Sequence, residues 1–348
     1  MDGGDTSPLF YGIMRLPMTL ALAGTLLAQA PSKSPPSKNP PAPAPAQEVP
    51  APITVDVDVV SILASVRNKH GGLVANLEKN DFTILEDGKP QIIKYFTRET
   101  DLPLTIGLLV DVSRSQENLI GIERDAASQF FSKVLRKKDE AFLISFGEEA
   151  ELLQDYTGSP RLLEAALKQL RVSSGVTGLH PGPVPGAGDP RGTVLYDAIY
   201  LAASEKLKTE VGRKVIVVIT DGVDQGSRLT RGQAIEAAQK ADAVIYSIDY
   251  EDPAFYSHFG GFGGNGEGEL RRMSDESGGR VYKVDRKHPL DQVFQELQEE
   301  MRSQYAIGYT PTNDTKDGTY RRLEIRLASK DLKAQARKGY FAIKPESR

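Results

Sequence analysis

The chain has no cysteine, no tryptophan and only four histidines in 348 residues. The missing thiols exclude disulfides, thiolate zinc sites, a cysteine nucleophile and a lipid-modified N-terminal cysteine. The histidines, at 70, 180, 258 and 288, stand at neither metal-ligand nor triad-like spacing, and there is no G-x-S-x-G around a serine. No G-x-x-x-x-G-K-[ST] or G-x-G-x-x-G follows a strand-like run, so nothing announces nucleotide binding. The glycines of Gly260 to Gly264 read as a flexible loop rather than a phosphate cradle, since neither a strand nor a lysine flanks them. A net charge of -4, with lysine and arginine interspersed among the acids, leaves no basic face, and no nucleic-acid partner is expected. No apolar run approaches the ~20 residues needed to cross a bilayer.

What is present is arranged in blocks. Residues Leu16 to Ala28 form a short apolar run behind Arg15, followed by Ala28-Gln29-Ala30, an A-x-A cleavage pattern, so residues 1–30 read as a signal peptide. The acidic lead fits a signal poorly and suggests Met14 as an alternative start to Met1. The protein is therefore expected to be secreted, periplasmic or extracellular, with no membrane span after signal cleavage. Residues 31–52 hold nine of the 22 prolines and almost no large apolar side chain, the composition of an extended spacer.

Residues 53–98 read as β. Ile53, Val55, Val57 and Val59 alternate with polar residues, and Phe82 to Glu86, Asp87-Gly88-Lys89-Pro90 and Gln91 to Phe96 read as one hairpin. Three or four strands are too few for a stable sandwich. Residues 304–343 offer the missing ones in Tyr305 to Tyr309, Leu323 to Leu327, Leu332 to Ala336 and Gly339 to Phe341. The two regions are expected to co-fold into a small β-sandwich, two separate β pieces being the alternative, with residues 344–348 as a tail. Between them, residues 102–303 alternate strands and helices, which predicts an α/β domain on a doubly wound, mainly parallel sheet. A helix from Gln116 to Leu135 would bury Leu119, Ile122, Ala126, Phe130 and Val134. The segments Ser173 to Gly192 and Glu251 to Gly268 read as long loops.

The stretch that organises this domain is Leu104 to Ser115, LTIGLLVDVSRS. Its apolar half reads as a strand buried on both faces, ending in Asp111, Ser113 and Ser115. A second apolar run, Val215 to Ile219, ends in Thr220 and Asp221 followed by a glycine. Ligand sites in open parallel sheets form beyond the carboxyl ends of strands, so two strands ending in aspartate predict one shared site. Thr193 would add a third hydroxyl. Two carboxylates and three alcohols, without histidine or cysteine, suit Mg²⁺, with Mn²⁺ or Ca²⁺ as substitutes. Such a site keeps an open position that an acidic side chain of a partner can fill. Asp249 and Asp252 are expected on the rim, solvated.

The segments DVSRS at 111–115, GT at 192–193 and TDG at 220–222 resemble the metal-ion-dependent adhesion site of von Willebrand factor type A domains, over about residues 102–303. The EDGKPQ-like hairpin and the terminal GYF resemble secreted bacterial proteins of this class. The resemblance implies a Rossmann-like fold and makes Ser113, Ser115 and Thr193 ligands of Mg²⁺. Asp111 and Asp221 would act directly or through water, and a Glu or Asp of a protein ligand would complete the shell. Asn118 and Leu119 stand where integrin β-type domains place an acidic pair, so a second regulatory metal is not expected. The function expected is a non-enzymatic, adhesion-type protein-binding module with no catalytic residues. The alternatives are a structural envelope-associated protein with a stabilising metal, and a metal-dependent hydrolase.

Overall fold

A computed structural model describes residues 59–98, 102–173, 192–253, 255 and 266–343. The expected signal peptide and spacer, the first part of the strand expected from Ile53, and residues 174–191 and most of 254–265 within the two long loops lie outside the described residues.

In chain order the first four strands are β1 (Val60–Asn68), β2 (Phe82–Glu86), β3 (Lys89–Gln91) and β4 (Ile93–Arg98). The α/β part begins with β5 (Leu104–Asp111), α1 (Ile120–Val134), β6 (Glu140–Phe146), β7 (Ala150–Thr157) and α2 (Pro160–Leu167). It continues with α3 (Leu195–Leu201), β8 (Arg213–Thr220), α4 (Arg231–Lys240) and β9 (Ala243–Asp249). It ends with α5 (Gly266–Ser277), β10 (Val281–Lys283) and α6 (Leu290–Arg302), after which come β11 (Tyr305–Tyr309), β12 (Tyr320–Leu327), β13 (Leu332–Ala336) and β14 (Gly339–Phe341).

Six strands form one sheet in the order β10-β9-β8-β5-β6-β7, parallel except for β7, which pairs antiparallel with β6. β5 and β8 are buried along their whole length, as their unbroken apolar runs require when helices cover both faces. One face packs under α1, α2 and α6 through Phe130, Phe131, Leu163, Phe294 and Leu297, and the other under α3, α4 and α5 through Leu195, Ile199, Ala238 and Leu270. The chain leaves β5 toward β6 on one side and reaches β8 on the other, and α1 and α4 lie on opposite faces. The crevice between β5 and β8 is therefore the switch point of a doubly wound sheet, where a ligand fits.

The remaining strands build two antiparallel sheets, β13-β1-β11-β4 and β14-β12-β2-β3. Each combines strands from before and after the α/β part: β1 pairs with β11 and β13, and β12 with β2. Arg98 at the end of β4 pairs with Tyr305 at the start of β11, so the two points where the α/β part leaves and rejoins are neighbours. Ile62, Ile84, Ile307, Tyr309 and Leu323 share one core between these sheets.

Three local expectations change. Asp87 and Gly88 both take positive φ, 49° and 79°, the geometry of a tight hairpin turn. The strand beyond that turn is not continuous, however: Lys89–Gln91 stays with β2, and from Ile93 the chain pairs with β11 in the other sheet. Ile92 marks the crossing and is 73% exposed. The helix expected from Gln116 starts at Ile120 after a 3₁₀ turn at Arg114–Gln116, and of the expected stripe Leu119, Ala126, Phe130 and Val134 are buried. Ile122 then faces solvent, and Glu123, not an apolar side chain, enters the interior. Asp249 and Asp252, expected to be solvated, are buried: Asn118 donates to Asp252 at 2.7 Å, and the Lys283 ammonium stands 3.5 Å from Asp249.

A buried ionic network closes the sandwich. Arg321 on β12 lies 3.3 Å from the Glu86 carboxylate on β2, and the Tyr309 and Tyr340 hydroxyls donate to the same carboxylate at 2.5 and 2.9 Å. Removing one partner of a buried ion pair leaves the other charge uncompensated, at a cost of about 3–5 kcal/mol. Arg321→Leu is therefore expected to lower the unfolding free energy by about that much, read from urea denaturation. A loss below ~1 kcal/mol would show that the tyrosine hydroxyls alone satisfy Glu86.

Candidate metal centre

Parallel pairing aligns β5 and β8 so that Val110 stands opposite Ile219, and both strands run out together at Asp111 and Thr220–Asp221. Asp111 is fully buried and Asp221 nearly so. The Ser113 amide donates to Asp111 Oδ1 at 2.9 Å, and the Thr220 hydroxyl donates to Oδ2 at 2.5 Å. Thr220 in turn accepts from the Gly222 amide at 3.1 Å, so the T-D-G turn is tied to the end of β5. Gly222 is needed there: its φ is 81°, and a Cβ would lie 2.6 Å from the Gly266 carbonyl oxygen. The Ser113 and Ser115 hydroxyls stand 3.1 Å apart at the entrance.

Thr193 comes from a different direction. Its carbonyl accepts from the Gln225 and Gly226 amides in the loop after β8, and the Val194 amide donates to Gly147 just beyond β6. Asp224 and Ser227 hold the amide of Tyr196 at the start of α3, and Asp197 accepts from Arg228 and Leu229. The segment that carries Thr193 is thus laced to the loop that follows Asp221. The structure brings Asp111, Ser113, Ser115 and Asp221 to one crevice at the β5 and β8 ends, and anchors the backbone of Thr193 to the loops bordering it.

The electrostatics at Asp111 are set by burial and by a second carboxylate. Burial pushes the Asp111 carboxyl up to about 7, the neighbouring charge of Asp221 adds to the rise, and the hydrogen bonds from Thr220 and Ser113 oppose it. Among the described residues no cationic side chain forms an ion pair with Asp111. Glu123, which the sequence reading missed, is also fully buried; burial first, then the charges of Asp111 and Asp221, hold its carboxyl well above the usual range. The one available signal was a glutamate at a core-facing position of an otherwise apolar helix stripe. Among the described residues no three Asp, Glu, His or Cys side chains come together closely enough to share an ion. A cation here would draw on hydroxyls and water as well as carboxylates, which suits a hard ion such as Mg²⁺ and not a thiolate- or imidazole-seeking one.

Residues 106–223 match the sequence model of the von Willebrand factor type A domain. The chain carries a von Willebrand factor type A domain. The matched span begins inside β5 and ends just after the T-D-G turn. No curated protein matches the chain. Among solved structures, the chain is similar to an aerotolerance-related membrane protein from Bacteroides fragilis NCTC 9343, at 16% identity over 57% of this chain and 98% of that one, with a TM-score of 0.41. It is also similar to proximal thread matrix protein 1 from the mussel byssus with a zinc-occupied MIDAS motif, at 14% identity over 62% of this chain and 49% of that one, TM-score 0.44. A von Willebrand factor type A protein from Catenulispora acidiphila is 15% identical over 70% of this chain and 49% of that one, TM-score 0.41.

The raised Asp111 carboxyl has a consequence for stability. Without metal the folded chain keeps a proton on Asp111 up to about pH 7, whereas the unfolded chain releases it near its ordinary value of 3.8. The folded state then binds more protons than the unfolded one, so this group's contribution to stability falls as pH rises through that window. In chelator, the melting temperature is expected to drop between about pH 5 and pH 7.5, and millimolar Mg²⁺ to abolish the drop by supplying the missing charge. A Mg²⁺-independent pH profile would show that no cation serves Asp111.

Proposed function

We propose that the chain is a secreted, non-enzymatic, metal-dependent protein-binding module of the adhesion type. In this reading Asp111, Ser113, Ser115, Thr193 and Asp221 hold Mg²⁺, with Mn²⁺ or Ca²⁺ as substitutes. The observation that carries it is Asp111: a fully buried carboxylate beside a second one, hydrogen-bonded to a hydroxyl and an amide but, among the described residues, paired with no cationic side chain. Two buried like charges at neighbouring strand ends are costly unless a cation or a proton lies between them.

Each residue has a task that its position allows. The Ser113 and Ser115 hydroxyls offer neutral oxygens at the crevice mouth. Asp111 and Asp221 supply the countercharge from below, Asp111 fixed in orientation by Thr220. Thr193 supplies a further hydroxyl from the segment tied to the β8 loop. When bound, the cation supplies a positive centre with a position left for an oxygen from outside. Because the five protein oxygens carry only two formal charges, that position favours a Glu or Asp of a protein partner over a neutral group.

The N-terminal signal-like segment supports export to the periplasm or exterior, and the proline-rich residues 31–52 a spacer behind the folded part. The sandwich, residues 53–98 with 304–343, frames the type A domain of residues 102–303.

Calorimetry of Mg²⁺ binding to the purified chain tests the reading. The wild type is expected to bind and Asp111→Ala to lose binding with its far-UV circular dichroism unchanged; equal affinity in both would place the metal elsewhere. Retention on immobilised envelope proteins should vanish in chelator and with Asp111→Ala. If the substitution lowers only the melting temperature and spares retention, the metal is a structural element and the sandwich makes the contacts.

A further inference from the structure

Glu123 is the feature that the five-residue metal site does not use. It sits in the first turn of α1, its amide donating to the Leu119 carbonyl at 2.9 Å, on a face otherwise made of Ile120, Ala126, Ala127, Phe130, Phe131 and Val134. Its side chain is fully buried, and among the described residues neither carboxylate oxygen has a hydrogen-bond partner. Acids in a first helical turn do favour the helix dipole, but that gain is available at the surface and does not require burial. A buried carboxylate without donors is instead among the most costly groups a fold can carry, and an apolar residue would fill the position without that cost.

A second side chain points the same way. Gln116, in the turn just before α1, is also fully buried: its amide donates to the Tyr250 carbonyl at 3.2 Å, while among the described residues its Oε1 has no donor. Tyr250 lies within electrostatic reach of Glu123, and Glu123 within reach of Asp111 and Asp221. The interior around Glu123 and Gln116 therefore presents acceptors that no donor of the described residues faces. Water oriented by a cation supplies donors of that kind.

We propose that Glu123 is a positioning residue of the metal centre: with Gln116 it lines a buried, acceptor-only face behind Asp111 and Asp221 and strengthens cation binding through intervening water. It is not a direct ligand, because Asp111, Asp221 and Glu123 do not converge closely enough to share an ion. The proposal rests on the metal-binding reading above and adds a third acidic group to it. The loaded centre would then carry more negative charge than five ligands with two carboxylates provide, which favours retention of a small divalent cation.

Mg²⁺ titrations of the full chain, followed by calorimetry and by the metal-induced rise in melting temperature, test it with wild type, Asp111→Ala, Glu123→Gln and Glu123→Asp. Glu123→Gln is expected to weaken Mg²⁺ at least ~10-fold, as loss of an outer-shell partner does, and to shrink the metal-induced rise. In chelator its melting temperature should equal or exceed that of the wild type. Glu123→Asp should recover part of the affinity. Should Glu123→Gln fail to fold, Glu123→Met fills the same volume without polar atoms and carries the same expectation. Wild-type affinity in Glu123→Gln alongside lost binding in Asp111→Ala would overturn the role of Glu123 and leave the metal centre standing. Absence of Mg²⁺ binding in the wild type would overturn both.

Discussion

The type A domain is organised by a repulsion. Parallel pairing of β5 with β8 in one fixed register delivers two buried carboxylates to neighbouring strand ends. Among the described residues no cationic side chain is paired with Asp111 to relieve it. The Thr220 hydroxyl and the Ser113 amide orient Asp111, and the Val223 amide bonds Asp221. Contrast Asp139, which bonds Arg302 and the Leu104 and Arg136 amides, or Glu86 beside Arg321. There the fold supplies its own countercharge, and no outside ion is called for.

Matched pairs of this kind occur in both parts of the molecule, Asp139 with Arg302 in the type A domain and Glu86 with Arg321 in the sandwich. In the sandwich, buried charge is internally matched and the core is aromatic and aliphatic, with Phe82, Phe96 and Tyr305 in mutual contact. The last helix of the type A domain is bound to that framework: Glu300 on α6 accepts from Ser65 at 2.9 Å and pairs with Arg67 on β1, and also accepts from Tyr282 at 2.7 Å. Buried, hydrogen-bonded pairs of this type fix geometry more surely than they add stability. Their effect here is to hold the sheet that carries the site in one orientation against the antiparallel strands.

Much of this was legible in the chain itself, for definite reasons. Buried parallel strands must be apolar throughout, so β5, β8 and β9 stand out, and a doubly wound sheet follows from their alternation with helices. The strand-end aspartates were legible because the apolar runs stop abruptly at them. What escaped was decided by tertiary context. The break at Ile92 depends on which sheet claims the next strand, and periodicity along one strand carries no record of its partner. Positions 122 and 123 both border the stripe of Leu119, Ala126, Phe130 and Val134; hydrophobicity favours Ile122, yet the fold buries the charged Glu123 and leaves Ile122 outside. Asp249 and Asp252 looked like surface acids because burial of a carboxylate depends on distant partners, Lys283 and Asn118.

The pairing of Arg98 with Tyr305 closes the type A domain into a loop whose two ends meet inside one sheet. Tension applied at residues 59 and 343 would therefore run through the interlocked antiparallel strands on either side of that junction. The whole segment from 102 to 303 hangs off the line of force. A crevice mounted in this way, at the ends of β5 and β8, is set apart from the strands that would bear the strain.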